Sequence, residues 1–163
     1  MKPLRAKPAK LSGNDVKTML VDKDFFASDW NKEGRGIKHD YETIIRDSDK
    51  VVLDHTTSLM WQYGGYSKYI SFAATEKYIL ELNSQGFAGF KDWRLPTLEE
   101  AMSLVEHEKK NVELYIDKSF DRAQESIWTV DQDHKGRVWA VSFSFGYCGL
   151  REVNSFSDVC AVR

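Results

Sequence analysis

A capping box at Thr97 constrains the fold of this chain more than any other sequence feature. Glu100 follows Thr97 by three residues, the spacing at which each side chain bonds the other residue's backbone N–H at a helix N-terminus. Pro96 disfavours a helical conformation in the residue before it, so Trp93–Leu95 is predicted to be extended. Apolar residues then recur at helical spacing. The sequence therefore predicts an extended segment or tight loop followed by a helix over residues 98–110.

The length and composition indicate one packed globular domain with an N-terminal extension. The chain has 163 residues, of which 42% are hydrophobic and 13% aromatic. Its formal net charge is −2, but the first ten residues carry +4 and the remainder carries −6. We expect a basic, disordered tail over residues 1–12 and a short helix over residues 14–22, capped by Asn14. The extension is assigned to residues 1–45 and the domain to residues 46–163.

Strand-like segments on both sides of two predicted helices indicate an α+β domain. The segments form two pairs, and a short turn-forming stretch separates the two members of each pair, which is typical of a hairpin. The architecture expected from this order is two helices packed on a mainly antiparallel twisted sheet with long loops. The predicted strand segments are residues 51–54, 58–62, 126–130 and 137–143.

The first helix of the predicted domain begins after Ser71 and ends before Gly86. Serine is a favoured N-cap, and glycine commonly ends a helix. The apolar residues that share one predicted face, and are expected to point inward, are Ala74, Ile79, Leu80 and Leu82.

Four motifs in a fixed order resemble the Lcl C-terminal domain family, long catalogued as a domain of unknown function. They are Leu59-Met60-Trp61, Trp93-Arg94-Leu95-Pro96-Thr97, Ile127-Trp128-Thr129 and the segment 159–163, and the resemblance covers about residues 50–163. It implies a bacterial protein with a C-type-lectin-like fold, similar to that of the formylglycine-generating enzymes. A family member, a bacterial collagen-like adhesin, looks like a binder of sulfated polysaccharide. The signature residues expected to be structural are Trp61, Trp93, Arg94, Thr97, Glu100 and Trp128.

The chain lacks the residues that several classes of ligand require. A polyanion such as sulfated polysaccharide or nucleic acid needs clustered cations, whereas residues 11–163 are acidic overall. The Glu-Pro-Asn and Trp-Asn-Asp motifs of calcium-dependent lectins are absent. The histidines are scattered and form no zinc motif, so no metal and no cofactor are expected. The four histidines are His39, His55, His107 and His134.

The turns after residues 130 and 143 carry the predicted binding residues. These turns combine carboxylates, aromatic rings and an arginine, a composition suited to contact with another molecule. We expect residues 131–136 and 146–156 to be exposed and poor in regular structure, because binding residues commonly lie on surface connections. The sequence thus predicts a non-catalytic recognition domain for an unknown protein or glycan. The candidate ligand-binding residues are Asp131, Asp133, Tyr147, Arg151, Asn154 and Phe156.

An alternative hypothesis is an oxidase-like enzyme that uses Cys148 and Cys160. The formylglycine-generating enzymes, which the resemblance brings into consideration, use a cysteine pair for oxidation. The two cysteines could pair in an oxidising compartment or remain free in a reducing one. No run of 18 apolar residues exists, so no membrane span is expected. The chain is cytoplasmic or an exported fragment without its signal, and the sequence leaves the compartment and the oligomeric state open.

Overall fold

The computed structural model describes residues 3–163 and has an α+β architecture of three α-helices and two β-sheets. The helices are α1 (Gly13–Asp22), α2 (Phe72–Gln85) and α3 (Leu98–Ser103), and a single 3-10 turn covers Phe87–Gly89. The strands are β1 (Tyr41–Arg46), β2 (Asp49–Asp54), β3 (Leu59–Gln62), β4 (Tyr66–Ser71), β5 (Ser126–Gln132), β6 (Val138–Ser142), β7 (Tyr147–Arg151) and β8 (Phe156–Val159).

The first sheet is antiparallel and has the order β1-β2-β3. Strands β2 and β3 form the first predicted hairpin, in which Val51 is opposite Gln62 and Asp54 is opposite Leu59. Strand β1 was not predicted, since residues 41–45 were assigned to the extension. Its register places Tyr41 opposite Asp54, so the sheet begins within that extension.

The second sheet has the order β4-β8-β5-β6-β7. Strands β5 and β6 form the second predicted hairpin, with Ile127 opposite Val141. Strand β8 pairs in parallel with β5 at Ile127 and Asp158, and antiparallel with β4. The prediction of a single sheet is wrong, because the early and late strands belong to separate sheets.

Residues 160–163 connect the two sheets. Val162 exchanges backbone hydrogen bonds with Arg94, at 2.9 and 3.0 Å, on one side. On the other side, Met60 and Arg163 exchange a second pair of bonds, at 3.0 and 2.9 Å. The extended segment around Arg94 therefore lies beside the C-terminal residues, which in turn lie beside β3.

The capping box of α3 is confirmed, but the predicted helix is too long. Thr97 Oγ1 accepts from the Glu100 N–H at 3.2 Å, and the Glu100 carboxylate accepts from the Thr97 N–H at 2.9 Å. Helix α3 ends at Ser103 instead of near residue 110. Residues 106–110 are all polar, so a longer helix would have no apolar side chain to bury there. The chain turns back instead, and the Glu106 N–H donates to the Tyr115 carbonyl at 2.9 Å.

Helix α2 has the predicted extent but a different buried face. Gly86 ends it in the left-handed conformation at φ 67°. Thr75 and Leu82 are buried, whereas Ala74 is exposed and 63% of Leu80 is accessible to solvent. The inward orientation predicted for Ala74 and Leu80 is therefore wrong.

The N-terminal extension packs into the main core. Helix α1 is capped by a capping box between Ser12 and Asp15, rather than by Asn14. Val16 and Leu20 are fully buried, and they belong to the same cluster as Trp61.

Residues 3–12 were predicted to lie in a disordered tail, but they are held against the second sheet. The Leu11 N–H donates to the Gln132 carbonyl at 2.8 Å, and the Trp139 indole N–H donates to the Leu11 carbonyl at 3.1 Å. Residues 1 and 2 of the predicted tail lie outside the described residues. No helix within the described range is long and apolar enough to cross a membrane.

Candidate functional site

Asp131, the first predicted ligand-binding residue, is fully buried at the end of β5. Its carboxylate accepts two hydrogen bonds from the Arg5 guanidinium, at 2.6 and 3.0 Å. It also accepts from the backbone N–H groups of Ala9 and Leu98, each at 2.7 Å. These contacts bind the N-terminal segment to the start of α3, and they leave Asp131 enclosed instead of exposed on a loop.

Asp133 is also enclosed, with 5% of the residue exposed. Its carboxylate accepts from the backbone N–H groups of Lys135 and Arg137, each at 2.9 Å, and from Arg137 Nε at 2.8 Å. Burial alone would raise the pKa of Asp133, but the hydrogen bonds from Arg137 and Lys135 lower it below its ordinary value. Asp133 therefore closes the β5–β6 turn, and the exposure predicted for both carboxylates is wrong.

The segment 146–156 contains more regular structure than predicted, since it includes β7 and the first residue of β8. Tyr147 is half-buried at the start of β7, and its ring centroid lies 5.9 Å from that of Phe145. Arg151 lies at the other end of β7 and donates from Nη1 to the Phe156 carbonyl at 2.8 Å. The structure thus brings Arg151 and Phe156 together but places Tyr147 at the opposite end of its strand.

Around Phe156, apolar side chains are exposed next to this arginine. Phe156 is 61% exposed, Tyr69 on the paired strand β4 is 51% exposed and Val153 is 44% exposed. Asn154, between Val153 and Phe156, is exposed. The Val153 carbonyl accepts from the Phe72 N–H at 3.1 Å, which connects this region to the start of α2.

An apolar groove of about 350 Å³ lies beside Phe72, between α2 and the end of β5. Leu80 and Val130 are on its walls, and Arg94 lies at its margin. We call this groove, together with Tyr69, Val153 and Phe156, the Phe72 surface. Sequence reasoning missed the groove because it assigned Leu80 to the buried face of α2. The apolar residues lining the groove are Phe72, Ala73, Ile79, Leu80, Leu95 and Val130.

A buried carboxyl group lies beneath one edge of the Phe72 surface. Asp158 is 1% exposed and accepts from the backbone N–H of Glu125 at 3.2 Å, while its Oδ1 atom has no hydrogen-bond partner among residues 3–163. Burial, together with the neighbouring Glu125 carboxylate, raises the pKa of Asp158 to about 6. The Tyr69 hydroxyl donates to that Glu125 carboxylate at 2.9 Å.

The signature residues form an internal framework. The tryptophans Trp61, Trp93 and Trp128 are each at most 2% exposed. Arg94 makes a bidentate ion pair with Glu100 at 2.7 and 2.8 Å, so the guanidinium is joined to the capping box of α3. In the structure these residues lie in the interior and at the start of α3.

Cys148 and Cys160 are free thiols, both 2% exposed. Cys148 lies on β7, and Cys160 directly follows β8, so the order β8-β5-β6-β7 separates them by three strand spacings, about 14 Å. A disulfide requires a Cα–Cα distance of roughly 4.4–6.8 Å. Burial raises the pKa of each thiol to about 12.

A polar cleft that sequence reasoning missed lies between residues 35–41 and residues 106–117 and has a volume of about 400 Å³. The imidazole of His39 is fixed beside it, 2.7 Å from the Asp54 carboxylate and 2.7 Å from the Ser103 carbonyl. Burial alone would raise the pKa of Asp54, but its hydrogen bonds with His39 and Thr57 lower it. Within residues 3–163, no group of three or more His, Cys, Asp and Glu side chains is placed to hold a metal ion.

The fold and the framework define an α+β domain with an internally fixed signature segment and an exposed Phe72 surface. A comparison with protein families matches residues 50–163 to the Lcl C-terminal domain. The chain therefore belongs to the Lcl C-terminal domain family, as its motifs indicate. No curated protein and no solved structure has a significant match to the chain.

Proposed function

We propose that this protein is a non-catalytic recognition domain that binds a protein or glycan through the Phe72 surface. The observations that carry the proposal are the exposure of Tyr69, Val153 and Phe156 and the apolar groove lined by Phe72, whose N–H donates to the Val153 carbonyl. Exposed apolar residues that lie close together are typical of binding surfaces. Membership of the Lcl C-terminal domain family supports a C-type-lectin-like scaffold for this surface, and the α+β architecture is compatible with that fold.

The chemistry of the Phe72 surface also favours binding over catalysis. Arg151 donates one hydrogen bond to the Phe156 carbonyl and is partly exposed, so its remaining N–H groups are available to a ligand. Arginine and aromatic side chains together are enriched where proteins bind partners, and an aromatic face can also stack on a sugar ring. Asn154 adds an exposed amide that can donate and accept.

The alternative, an oxidase-like enzyme that uses Cys148 and Cys160, has less support. A thiol with a pKa of about 12 is almost entirely protonated at neutral pH, whereas the thiolate is the reactive species. The separation of about 14 Å between the two strands also prevents direct exchange between the two sulfur atoms.

The test compares the double variant Arg151→Ala/Phe156→Ala with the control Arg122→Ala/Ile45→Ala. The control removes the same kinds of exposed side chain outside the Phe72 surface, since Ile45 lies on β1 and is 75% exposed and Arg122 is exposed in the connection before β5. Wild-type protein is screened on a glycan array and against isolated candidate proteins, and each hit is titrated with both variants. We expect the double variant to weaken binding by about tenfold or more, ~1.4 kcal/mol, and the control to bind like wild type.

Equal binding by wild type and the double variant would overturn the assignment of the Phe72 surface. A Cys148→Ser/Cys160→Ser variant separates the two functions. An oxidation activity of the wild type that this folded variant loses would favour the enzyme hypothesis, and unchanged ligand binding by it supports the recognition domain.

A further inference from the structure

The polar cleft between residues 35–41 and 106–117 has the dimensions and rigidity of a small-molecule site. Its volume of about 400 Å³ falls within the range of ligand pockets in proteins. Both walls are fixed by backbone hydrogen bonds. The Gly36 N–H donates to the Asp24 carbonyl at 2.7 Å, and the Lys110 N–H donates to the Leu114 carbonyl at 3.1 Å.

The cleft carries both positive and negative groups. Arg35 and Lys38 are exposed on one wall, and neither makes a salt bridge within the described range 3–163. On the opposite wall, Lys110 pairs with the Glu106 carboxylate at 2.8 Å. Asp117 also lines this wall, and its carboxylate is oriented by bonds from the Ser119 N–H and hydroxyl at 2.8 and 2.7 Å.

Tyr41 lines the cleft and adds a hydroxyl group that is not used in hydrogen bonds among residues 3–163. Its ring stacks on His39 with centroids 4.7 Å apart, and its buried hydroxyl has no hydrogen-bond partner among residues 3–163. Burial raises the pKa of the Tyr41 phenol well above its ordinary value, and the carboxylates of Asp54, Glu106 and Asp117 raise it further. The hydroxyl therefore stays protonated, and buried polar groups without a partner are uncommon in proteins.

This combination restricts the class of ligand. Arg35 and Lys38 favour a carboxylate, which an arginine can bind through two parallel hydrogen bonds. Glu106 and Asp117 can only accept hydrogen bonds, so they favour hydroxyl groups and repel additional negative charge. A polyanion or a phosphate dianion is therefore disfavoured, and a neutral sugar would leave the two cations without a partner.

We propose that the cleft binds a small polyhydroxylated monocarboxylate, the chemical class of the sugar acids. Its carboxylate contacts Arg35 and Lys38, and its hydroxyl groups donate to Glu106 and Asp117. This site is separate in its residues from the Phe72 surface, so its occupancy does not depend on the function proposed for that surface.

The experiment titrates the full chain with D-glucuronate by NMR or calorimetry, with D-glucose and acetate as probes that lack the carboxylate or the hydroxyl groups. We expect saturable one-to-one binding of D-glucuronate and binding of both other probes that is at least about tenfold weaker. The variants Arg35→Gln and Asp117→Asn are each expected to weaken D-glucuronate binding by about tenfold. Lys118→Gln is the matched control, because Lys118 is exposed beside the cleft but does not line it.

Three results would overturn the proposal. The first is the absence of saturable binding of D-glucuronate to the wild-type protein. The second is binding of acetate as tight as that of D-glucuronate, which would show that the hydroxyl groups are not recognised. The third is an equal effect of Lys118→Gln and Arg35→Gln, which would show attraction by net charge instead of contact in the cleft. Thermal unfolding of every variant establishes that the compared proteins are folded.

Discussion

The Asp131 carboxylate and the Arg151 guanidinium both lie at ends of strands in the five-stranded sheet, but their surroundings differ. Asp131 is fully buried and accepts four hydrogen bonds, from Arg5, Ala9 and Leu98. Arg151 is partly exposed and has one hydrogen bond, to the Phe156 carbonyl, while Phe156 itself is 61% exposed. The hydrogen-bonding capacity of Asp131 is therefore used within the protein, whereas polar atoms of Arg151 and the apolar ring of Phe156 remain accessible to solvent.

The difference shows that residue type alone does not identify a binding site. A carboxylate that binds the N-terminal segment and the N-terminus of α3 stabilises the fold, because each bond replaces contact with water that burial has removed. An exposed phenylalanine buries little apolar surface, so its substitution should change the free energy of unfolding only slightly. The two regions should respond differently to substitution.

Trp93→Ala should have the largest effect on stability. Trp93 is 2% exposed, and its indole N–H donates to the Phe87 carbonyl at 2.9 Å. Removal of this side chain is expected to lower the free energy of unfolding by about 3–5 kcal/mol. Chemical denaturation measures the change. A midpoint close to that of wild type would show that the signature framework does not depend on this residue.

Asp131→Asn should have the second largest effect. The substitution removes the charge that pairs with Arg5 and weakens the bonds to Ala9 and Leu98. We expect a loss of about 3 kcal/mol, since breaking a buried ion pair leaves the partner group poorly compensated. Asp29→Asn, at an exposed position, is the control and should change stability by less than about 0.5 kcal/mol. Equal denaturation midpoints for Asp131→Asn and Asp29→Asn would show that the contacts of Asp131 do not stabilise the fold.

Asp158→Asn should stabilise the protein at neutral and higher pH. The pKa of Asp158 is raised to about 6 by burial, above the ordinary value of about 4 for an unfolded chain. Its contribution to stability is therefore full below about pH 4 and is lost as the pH rises through about 6. The variant avoids this loss, so it should be more stable than wild type by about 2 kcal/mol near pH 8, and the gain should disappear near pH 4.

Urea denaturation across this pH range tests the sign of the Asp158 effect. Asp92→Asn is the comparison variant, because its hydrogen bonds with Arg163 lower the pKa of the Asp92 carboxyl. The contribution of Asp92 is present above the ordinary carboxyl pKa and is lost as the pH falls, so its substitution should act in the opposite direction. A gain from Asp158→Asn that is independent of pH would contradict the ionisation argument.

The triple variant Tyr147→Ala/Arg151→Ala/Phe156→Ala should have the smallest effect. Phe156 is exposed, and Tyr147 and Arg151 are partly exposed, so we expect a total loss of about 1 kcal/mol or less. Thermal or chemical unfolding of this variant beside Trp93→Ala gives the comparison directly. A loss as large as that from Trp93→Ala would show that the segment 146–156 is part of the core.

Local sequence signals predicted local structure well. The spacing of Thr97 and Glu100 identified the start of α3, since both groups of a capping box are adjacent in the sequence. The end of α3 was misplaced because it depends on whether the following polar residues have a core to pack against. The hairpins β2–β3 and β5–β6 were found for the same local reason, whereas the division into two sheets depends on pairing between distant strands.

Long-range contacts explain the errors in the candidate site. Asp131 was predicted to be exposed because its partners Arg5 and Ala9 lie more than a hundred positions away. The polar cleft was missed for a similar reason, since residues 35–41 and 106–117 meet only in the folded protein. Arg151 and Phe156 contact each other in the structure because only a short connection between β7 and β8 separates them.

The position of Val162 has a consequence for the rate of folding. Val162 bridges to Trp61 and to Arg94, which are separated from it by about 100 and about 70 positions. These contacts connect the two sheets, so each sheet can form its own hairpin quickly, while the connection between them must wait for the closure of long loops. Substitutions near Val162 should therefore change folding kinetics more than substitutions of similar energetic cost within the β2–β3 hairpin.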